Sequence, residues 1–374
     1  MERPIRVWLE PAYDRGRVGC WMLDWPGSFT WADDGERALA QVPSAVGRFV
    51  DWRDGHGEVL ELPDTGHTEI VEEVPARLLD GDYEVNATFQ ADERTVEPAE
   101  VEQTIRRIDD ARADLLEVTR RLDAHEAAHG PLPAGPGPRV ERTSDAVLRH
   151  LAGAEIWLAG RADRDNRYAG PERDGLLAPF LEASHAWAVD ELRSRAASQS
   201  TTPVADGKSE TWTVAKICRR LVYHALDHLW ELERRLALVD GTLERVELRR
   251  NGPLDLDELV RLLRLAGIPG RTDDRRRLQQ MLAGTTETVR ARHEGQLIGF
   301  CRTISDGAFN AYVSTVAVHP RWQGLGVGGR MMEALIDGRD DIKFVLDARP
   351  GTEGFYRGLG FERSPKLMNR RRIH

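Results

Sequence analysis

The stretch Val318-His-Pro-Arg-Trp-Gln-Gly-Leu-Gly-Val-Gly-Gly-Arg-Met-Met332 constrains this chain more than any other. Alternating apolar residues from Tyr312 to Val318 read as a strand that stops at a proline. Glycines follow at Gly324, Gly326 and Gly328, and an amphipathic helical pattern then begins. Strand, glycine loop and helix start together make a cradle for an anion. Glycine lets the backbone approach a phosphate closely, and the first N–H groups of a helix have no internal partners. A dinucleotide site also wants a strand, three glycines and a helix, with an acidic residue about twenty positions on. Lys343-Phe-Val-Leu-Asp347 lies near that place. Against that reading, the strand ends in Val-His-Pro and the loop opens with Gln323 instead of glycine. A plain glycine turn capping a helix is the bland alternative.

The order of patterns around this loop narrows the choice. Val246 to Arg250 reads as a first strand, and helical patterns cover Asp255 to Ala266 and Asp273 to Leu282. Glu287 to His293 and Leu297 to Ile304 are strands joined by Glu294-Gly295, a hairpin turn. Asp306-Gly307 leads into Phe309 to Val318, and after the glycine-loop helix come an apolar strand, Ile342 to Asp347, and Phe355-Tyr-Arg-Gly-Leu-Gly-Phe361. A basic closing strand is expected through Met368. With Gln323-x-x-Gly326-x-Gly328 at its centre, the segment from residue 245 to 374 resembles the GNAT acyltransferases, over the whole C-terminal third.

That resemblance implies an α/β fold that uses acetyl-CoA. Backbone groups of Val316, Ala317 and Val318 would hold the pantetheine arm. Those of Gln323, Gly324, Leu325, Gly326, Val327, Gly328 and Gly329 would hold the pyrophosphate. Tyr356 falls where the family often keeps the tyrosine that protonates the departing thiolate, a role suited to a phenol of pKa near 10; otherwise it is a helix tyrosine packed under the sheet. Many members carry an acidic base on the strand before the loop, but Ala311-Tyr-Val-Ser-Thr315 has no carboxylate. Asp347, directly or through water, is the candidate base, His319 a weaker one, and an already neutral amine an alternative to both. An aspartate at a strand end also serves simply to cap the next turn.

A second motif lies upstream, in a helical region of long polar–apolar periodicity from about Pro98 to Leu243, interrupted by a Pro- and Gly-rich insert from Gly130 to Pro138. Leu148-Arg-His150-Leu-Ala-Gly-Ala-Glu155 and Leu221-Val-Tyr-His224-Ala-Leu-Asp-His228-Leu-Trp-Glu231 supply three histidines. His224 and His228, four apart, share one helix face and can chelate one divalent ion. A solvated or half-buried helix face is the bland reading of that pair alone. Together with His150, and with Trp212-Thr-Val-Ala-Lys216 ahead of the last helix, the region resembles the DinB-like metal-binding four-helix bundles. The resemblance implies nickel, zinc or a similar ion with open positions, or a bundle kept only as scaffold.

The first ninety or so residues read as a small α+β module. Arg6 to Glu10 and Val18 to Leu23 alternate as strands, Asp24-Trp-Pro-Gly-Ser-Phe29 turns into a third, and Glu36 to Trp52 has helical spacing. This pattern is similar to the HicB-type antitoxin fold, which implies a partner-binding or lid module, or else an ordinary β-β-α packing unit. A multidomain chain is therefore expected: an α+β module over residues 1–93, an all-α bundle over 96–243, and an α/β acetyltransferase domain over 245–374.

Composition sets outer limits. A net charge of −10 argues against a general nucleic-acid binder, and Arg370-Arg-Arg372 more simply closes the last sheet or aids an anionic cofactor. Cys20, Cys218 and Cys301 lie in separate expected domains without metal or redox spacing, which suits a reducing compartment. No signal peptide or apolar window of membrane-spanning length is present, so a cytoplasmic bacterial protein without membrane contact is expected. The expected activity is acetyl transfer to an amine of a small molecule, with a homodimer or a protein partner engaged through the N-terminal module. The competing readings are a metal-dependent thiol transferase carrying a GNAT appendage, and a CoA-binding sensor without turnover.

Overall fold

A computed structural model describes residues 4–62, 67–79, 83–130, 143–161, 167–197, 204–205, 210–268, 272 and 274–368. The chain forms two compact units, one of Met1–Arg245 with Leu263–Gly270, the other of Val246–Leu262 with Arg271–His374.

The first unit opens with β1 (Ile5–Ala12), a left-handed turn α1 (Tyr13–Gly16), β2 (Arg17–Trp21) and β3 (Phe29–Ala32). Helix α2 (Gly35–Gly55) then starts where the Asp34 carboxylate accepts from the Arg37 N–H. A fourth strand, β4 (Thr68–Glu73), pairs in parallel with β1 and gives the order β3-β2-β1-β4. The sequence offers no period for β4, because Ile70 and Val71 are both exposed on this edge strand. Two short strands, β5 (Arg77–Leu79) and β6 (Tyr83–Val85), pair with each other ahead of a 3-10 turn at Gln90–Asp92.

Helices α3 (Pro98–His129), α4 (Ser144–Ala159), α5 (Leu177–Ala197) and α6 (Val214–Ala237) pack on one another, α6 following a two-strand pair of β7 (Val204–Ala205) and β8 (Thr211–Trp212). Proline at the start of α3 and threonine caps at Thr143 and Thr213 place the helix starts. Of the insert from Gly130 to Pro138, all but Gly130 lies outside the described residues.

The boundary expected near residue 94 does not separate two compact units. Phe49 and Trp52 of α2 belong to the same buried cluster as Leu115, Leu192, Leu221 and Leu229 of the long helices. Trp8, Trp21 and Phe29 of the small sheet enclose Tyr223 of α6. Fully buried Lys216 of α6 donates to the Asn86 carbonyl and to Thr88, and Arg219 pairs with Asp92 at 2.9 Å. A four-stranded sheet and one helix leave apolar faces uncovered, and the helices cover them.

The second unit is a five-stranded sheet of order β13-β12-β11-β10-β9, built from β9 (Glu247–Arg250), β10 (Glu287–His293), β11 (Gln296–Ser305), β12 (Asn310–Val318) and β13 (Lys343–Leu346). Helices α7 (Leu256–Leu265) and α8 (Arg275–Ala283) stand within two residues or so of the expected spans. Glu294 and Gly295 both hold positive φ, 48° and 84°, as the two-residue hairpin between β10 and β11 requires. Neighbouring strands run antiparallel except β12 and β13, which are parallel and joined through α9 (Val327–Ile336). A short helix, α10 (Glu353–Gly358), follows.

The closing strand expected through Met368 is absent: residues 361–368 form no strand, and Leu367 and Met368 are exposed. Its run of Arg, Lys and Pro365 offers neither an apolar alternation nor a full set of backbone donors. The arginines at 370–372 lie outside the described residues.

Candidate active site

Strand β12 is bounded differently on its two sides. Against β11 it runs in register from Gly299↔Val318 to Arg302↔Thr315, and after a one-residue irregularity at Ser314 it resumes at Thr303↔Val313. Against β13 it pairs only from Asn310↔Lys343 to Val313↔Leu346. From Ser314 to Val318, therefore, the side of β12 away from β11 has no strand neighbour among the described residues. A bulge bends a strand and raises its local twist, which accounts for the parting. The stretch exposes backbone donors and acceptors that must find partners elsewhere. The expected pantetheine-binding residues, Val316, Ala317 and Val318, lie within it.

Below the bulge sits a residue the sequence reading passed over. Arg302 is buried, and its guanidinium donates to Ser314 Oγ (2.7 Å), Thr315 Oγ1 (3.2 Å) and Thr285 Oγ1 (3.3 Å). A single arginine inside the apolar run Leu297–Ile304 was the available signal, since a buried charge needs several polar partners.

The open stretch leads straight into the glycine loop. His319 N–H donates to the Ile298 carbonyl, a 3-10 turn spans Pro320–Trp322, and the Gln323 side-chain amide donates back to the Val318 carbonyl at 2.9 Å. Gly326 caps α9 with φ 84°, a conformation that an L side chain adopts only under strain. At Gly328 a Cβ would meet the Phe355 ring and Val318 Cγ2 at 3.4 Å, an ordinary contact distance, so α9 starts close against both. Buried Val327, Met331, Met332 and Leu335 fix α9 to the sheet, so its N-terminus is held at the end of β12.

Phe355 brings α10 against this loop, and Tyr356 follows it. The Tyr356 ring is half-buried beside Phe355 and Phe361, with ring centroids 4.9 and 5.9 Å away. Burial raises its pKa above the ordinary 10, with the Arg349 guanidinium opposing. The phenol is thus protonated at neutral pH. Asp347 lies one residue past β13 and is exposed. His319 is 3% exposed, and its Nδ1 accepts from the Arg321 N–H, which ties this weaker base candidate to capping the turn.

The three upstream histidines also converge. His150 of α4 and His224 of α6 place their Nε2 atoms 3.1 Å apart, and the candidate ligand atoms of His150, His224 and His228 all lie within 4.8 Å of one another. His228 is buried, and its Nδ1 lies 3.1 Å from the Glu231 carboxylate. A carboxylate on one ring nitrogen fixes the tautomer that leaves the other free as a ligand. Three imidazoles at this spacing suit a divalent ion: bonds of about 2.0–2.1 Å put tetrahedral ligand atoms roughly 3.3 Å apart.

Residues 271–373 match the family described as an acetyltransferase (GNAT) domain. An N-acetyltransferase described as uncharacterized, ycf52 of Porphyra purpurea, is 30% identical over 142 residues, which cover 35% of this chain and 82% of that protein. The chain belongs to the GNAT acetyltransferase family through its C-terminal unit. Among other relatives, serotonin N-acetyltransferase 2 of Oryza sativa subsp. japonica is 35% identical over 125 residues, covering 32% of this chain and 62% of that one. Histone acetyltransferase TAP1 of Glycine max is 35% identical over 144 residues, covering 34% and 60%. The chain thus spans about three fifths of the length of these two curated relatives. A probable acetyltransferase from meticillin-resistant Staphylococcus aureus aligns with a TM-score of 0.31 at 22% identity, covering 34% of this chain and 98% of that one.

Proposed function

We propose that the protein transfers the acetyl group of acetyl-CoA to the amine of a small molecule. The observation that carries this reading is the parting of β12 from β13 after Val313, which opens unpaired backbone directly onto the glycine loop and the N-terminus of α9. The pantetheine arm adds to Val316–Val318 as a strand would, and the pyrophosphate rests on N–H groups between Gln323 and Gly329. An amine nitrogen attacks the thioester carbonyl and loses a proton to Asp347, directly or through water, unless it arrives already neutral. As the C–S bond breaks, Tyr356 gives its phenolic proton to the thiolate. The acceptor lies with the two helices after the first strand, α7 and α8. Relatives named for serotonin and for a histone leave the size of the acceptor to experiment.

The histidine triad supports a second component of the reading. His150, His224 and His228 would hold a divalent ion such as zinc or nickel, as the DinB-like resemblance implies, with Glu231 orienting His228. A bound ion of this kind supplies Lewis acidity and a place for a thiolate. The triad's geometry also favours, as a second reading of the whole chain, a metal-dependent thiol transferase with a GNAT appendage.

Native mass spectrometry of the full chain with and without acetyl-CoA, followed by a thiol-release assay on panels of small amines and lysine peptides, separates these readings. One CoA per chain and thiol release with small amines is the expected result. An ion retained without CoA binding overturns it in favour of the thiol transferase. CoA binding without turnover of any amine points to a sensor, and turnover confined to peptides refutes the small-molecule acceptor.

A further inference from the structure

In the second unit, the Arg302 guanidinium reaches two consecutive residues of β12 at once, Ser314 Oγ at 2.7 Å and Thr315 Oγ1 at 3.2 Å. In a regular strand successive side chains point to opposite faces, so one group on β11 cannot hold both. Thr315 is the direct cross-strand partner of Arg302, and Ser314 is the extra residue between that pair and Thr303↔Val313. Restoring a regular ladder means slipping one half of β12 by one residue, which turns that half's side chains over. Whichever half slips, the guanidinium keeps only one of the two hydroxyls. Both bonds exist together only while β12 is bulged.

The guanidinium is itself anchored from outside β12. Gly299 and Cys301 lie against Met331 of α9, so Arg302, the next residue of β11, points to the opposite face of the sheet. There its Nη1 donates to Thr285 Oγ1 at 3.3 Å, and Thr285 is fixed to the end of α8 by donating to the Met281 carbonyl at 2.7 Å. At 8% exposure, Arg302 has exchanged water for these hydroxyls, and a form of the strand that offers it one fewer is disfavoured. A group that bonds one of two forms better shifts the balance by that difference.

The form it favours is the one that opens the site. Pairing with β13 ends at Val313↔Leu346, immediately before the bulge, and the unpaired backbone begins there. We propose that Arg302 is a positioning residue for the cofactor, a role that rests on the acetyl-CoA reading above. By holding Ser314 and Thr315 on one side, it keeps β12 bulged and the backbone of Val316–Val318 open to the pantetheine arm. The glycine loop has supports of its own in Gly326 and the buried face of α9. The two ends of the cofactor therefore respond differently to loss of Arg302.

Isothermal titration of the full chain with coenzyme A and with 3′-phospho-ADP, its nucleotide end alone, tests this. Arg302→Met, similar in length but without donors, should weaken coenzyme A at least tenfold and change 3′-phospho-ADP less than twofold. Ser314→Ala removes only the hydroxyl of the extra residue and should weaken coenzyme A at least threefold, again selectively. Added to Arg302→Met, it should cost less than twofold more, because the bond is already gone. Circular dichroism melting shows which variants fold, and Ser314→Ala decides the matter if Arg302→Met does not. The role is refuted if the folded variants bind coenzyme A within twofold of the parent, or if coenzyme A and 3′-phospho-ADP weaken together. A parent that binds neither overturns the acetyl-CoA reading, and this role with it.

Discussion

Glu210→Gln isolates the buried ion pair at which the segment after β6 meets the start of α6. Lys216 and Glu210 are both 0% exposed, with Nζ 3.0 Å from Glu210 Oε1 and further bonds to Asn86 O, Thr88 Oγ1 and Thr211 O. Burial pulls the Lys216 pKa down from 10.5 to about 8, and Glu210 opposes this only in part. Removing the carboxylate charge leaves an ammonium buried among neutral acceptors, and breaking one side of such a pair costs about 3–5 kcal/mol. In a unit of this size each kcal/mol lowers the midpoint by about 2–4 °C, so Glu210→Gln should melt roughly 6–20 °C lower. Tryptophan fluorescence reads this unit almost alone, because of the ten tryptophans only Trp322 lies in the other. Glu210→Leu combined with Lys216→Met should recover most of the loss, since a well-packed apolar pair commonly matches a buried ionic one. A Glu210→Gln midpoint within about 2 °C of the parent would refute the reasoning, because a loss that small corresponds to about 1 kcal/mol or less.

Lys216 also fixes a pH dependence: between about 8 and 10.5 the unfolded chain holds a proton that the folded chain has released, so the parent gains stability on Lys216→Met as pH rises. Denaturant melts of both at pH 7.5 and 9.5 should show that gap shifting by about 1–2 kcal/mol, and a constant gap contradicts it. Tyr356→Phe should lower kcat about a hundredfold or more while leaving the KM for acetyl-CoA within a few-fold; because the Tyr356 pKa is raised, no alkaline loss of kcat below pH about 10 should trace to it. Saturation of the triad with zinc or nickel at about a hundred times Kd should add about 2.7 kcal/mol to the first unit, roughly 5–11 °C by fluorescence melting, and His224→Ala should abolish the shift. Gly326→Ala adds a methyl with nothing within 4 Å, so its effect should be purely conformational. About 1–2 kcal/mol lost from the second unit in circular dichroism melts is expected.

The C-terminal unit was legible because each strand there carries a period and each break a glycine or proline. The hairpin at Glu294-Gly295 and the cap at Gly326 were readable from residue type alone. The convergence of His150 on His224 and His228 was readable from helical spacing plus one matching motif. Strand β4 was hidden by its exposed Ile70 and Val71, whereas Arg302, alone in an apolar run, was readable as a buried charge but its partners Ser314, Thr315 and Thr285 were not. The joining of sheet and helices escaped for a deeper reason. It depends on polar groups far apart in sequence, such as Lys216 with Asn86 and Thr88, 130 and 128 residues away. No local pattern records that a buried lysine will find acceptors so distant.

The shared interior of the first unit decides where this chain tolerates scissors. A fragment ending near residue 93 would carry Trp8, Trp21, Phe29 and Phe49 with their coverings stripped away, and the complementary piece would surface Tyr223, Leu221 and Leu229. Both halves would be sticky: the cut severs the ion pair of Arg219 with Asp92 and strips Lys216 of its acceptors on Asn86 and Thr88. Expression trials, protease nicking and the recombination of genes should all discriminate against that cut.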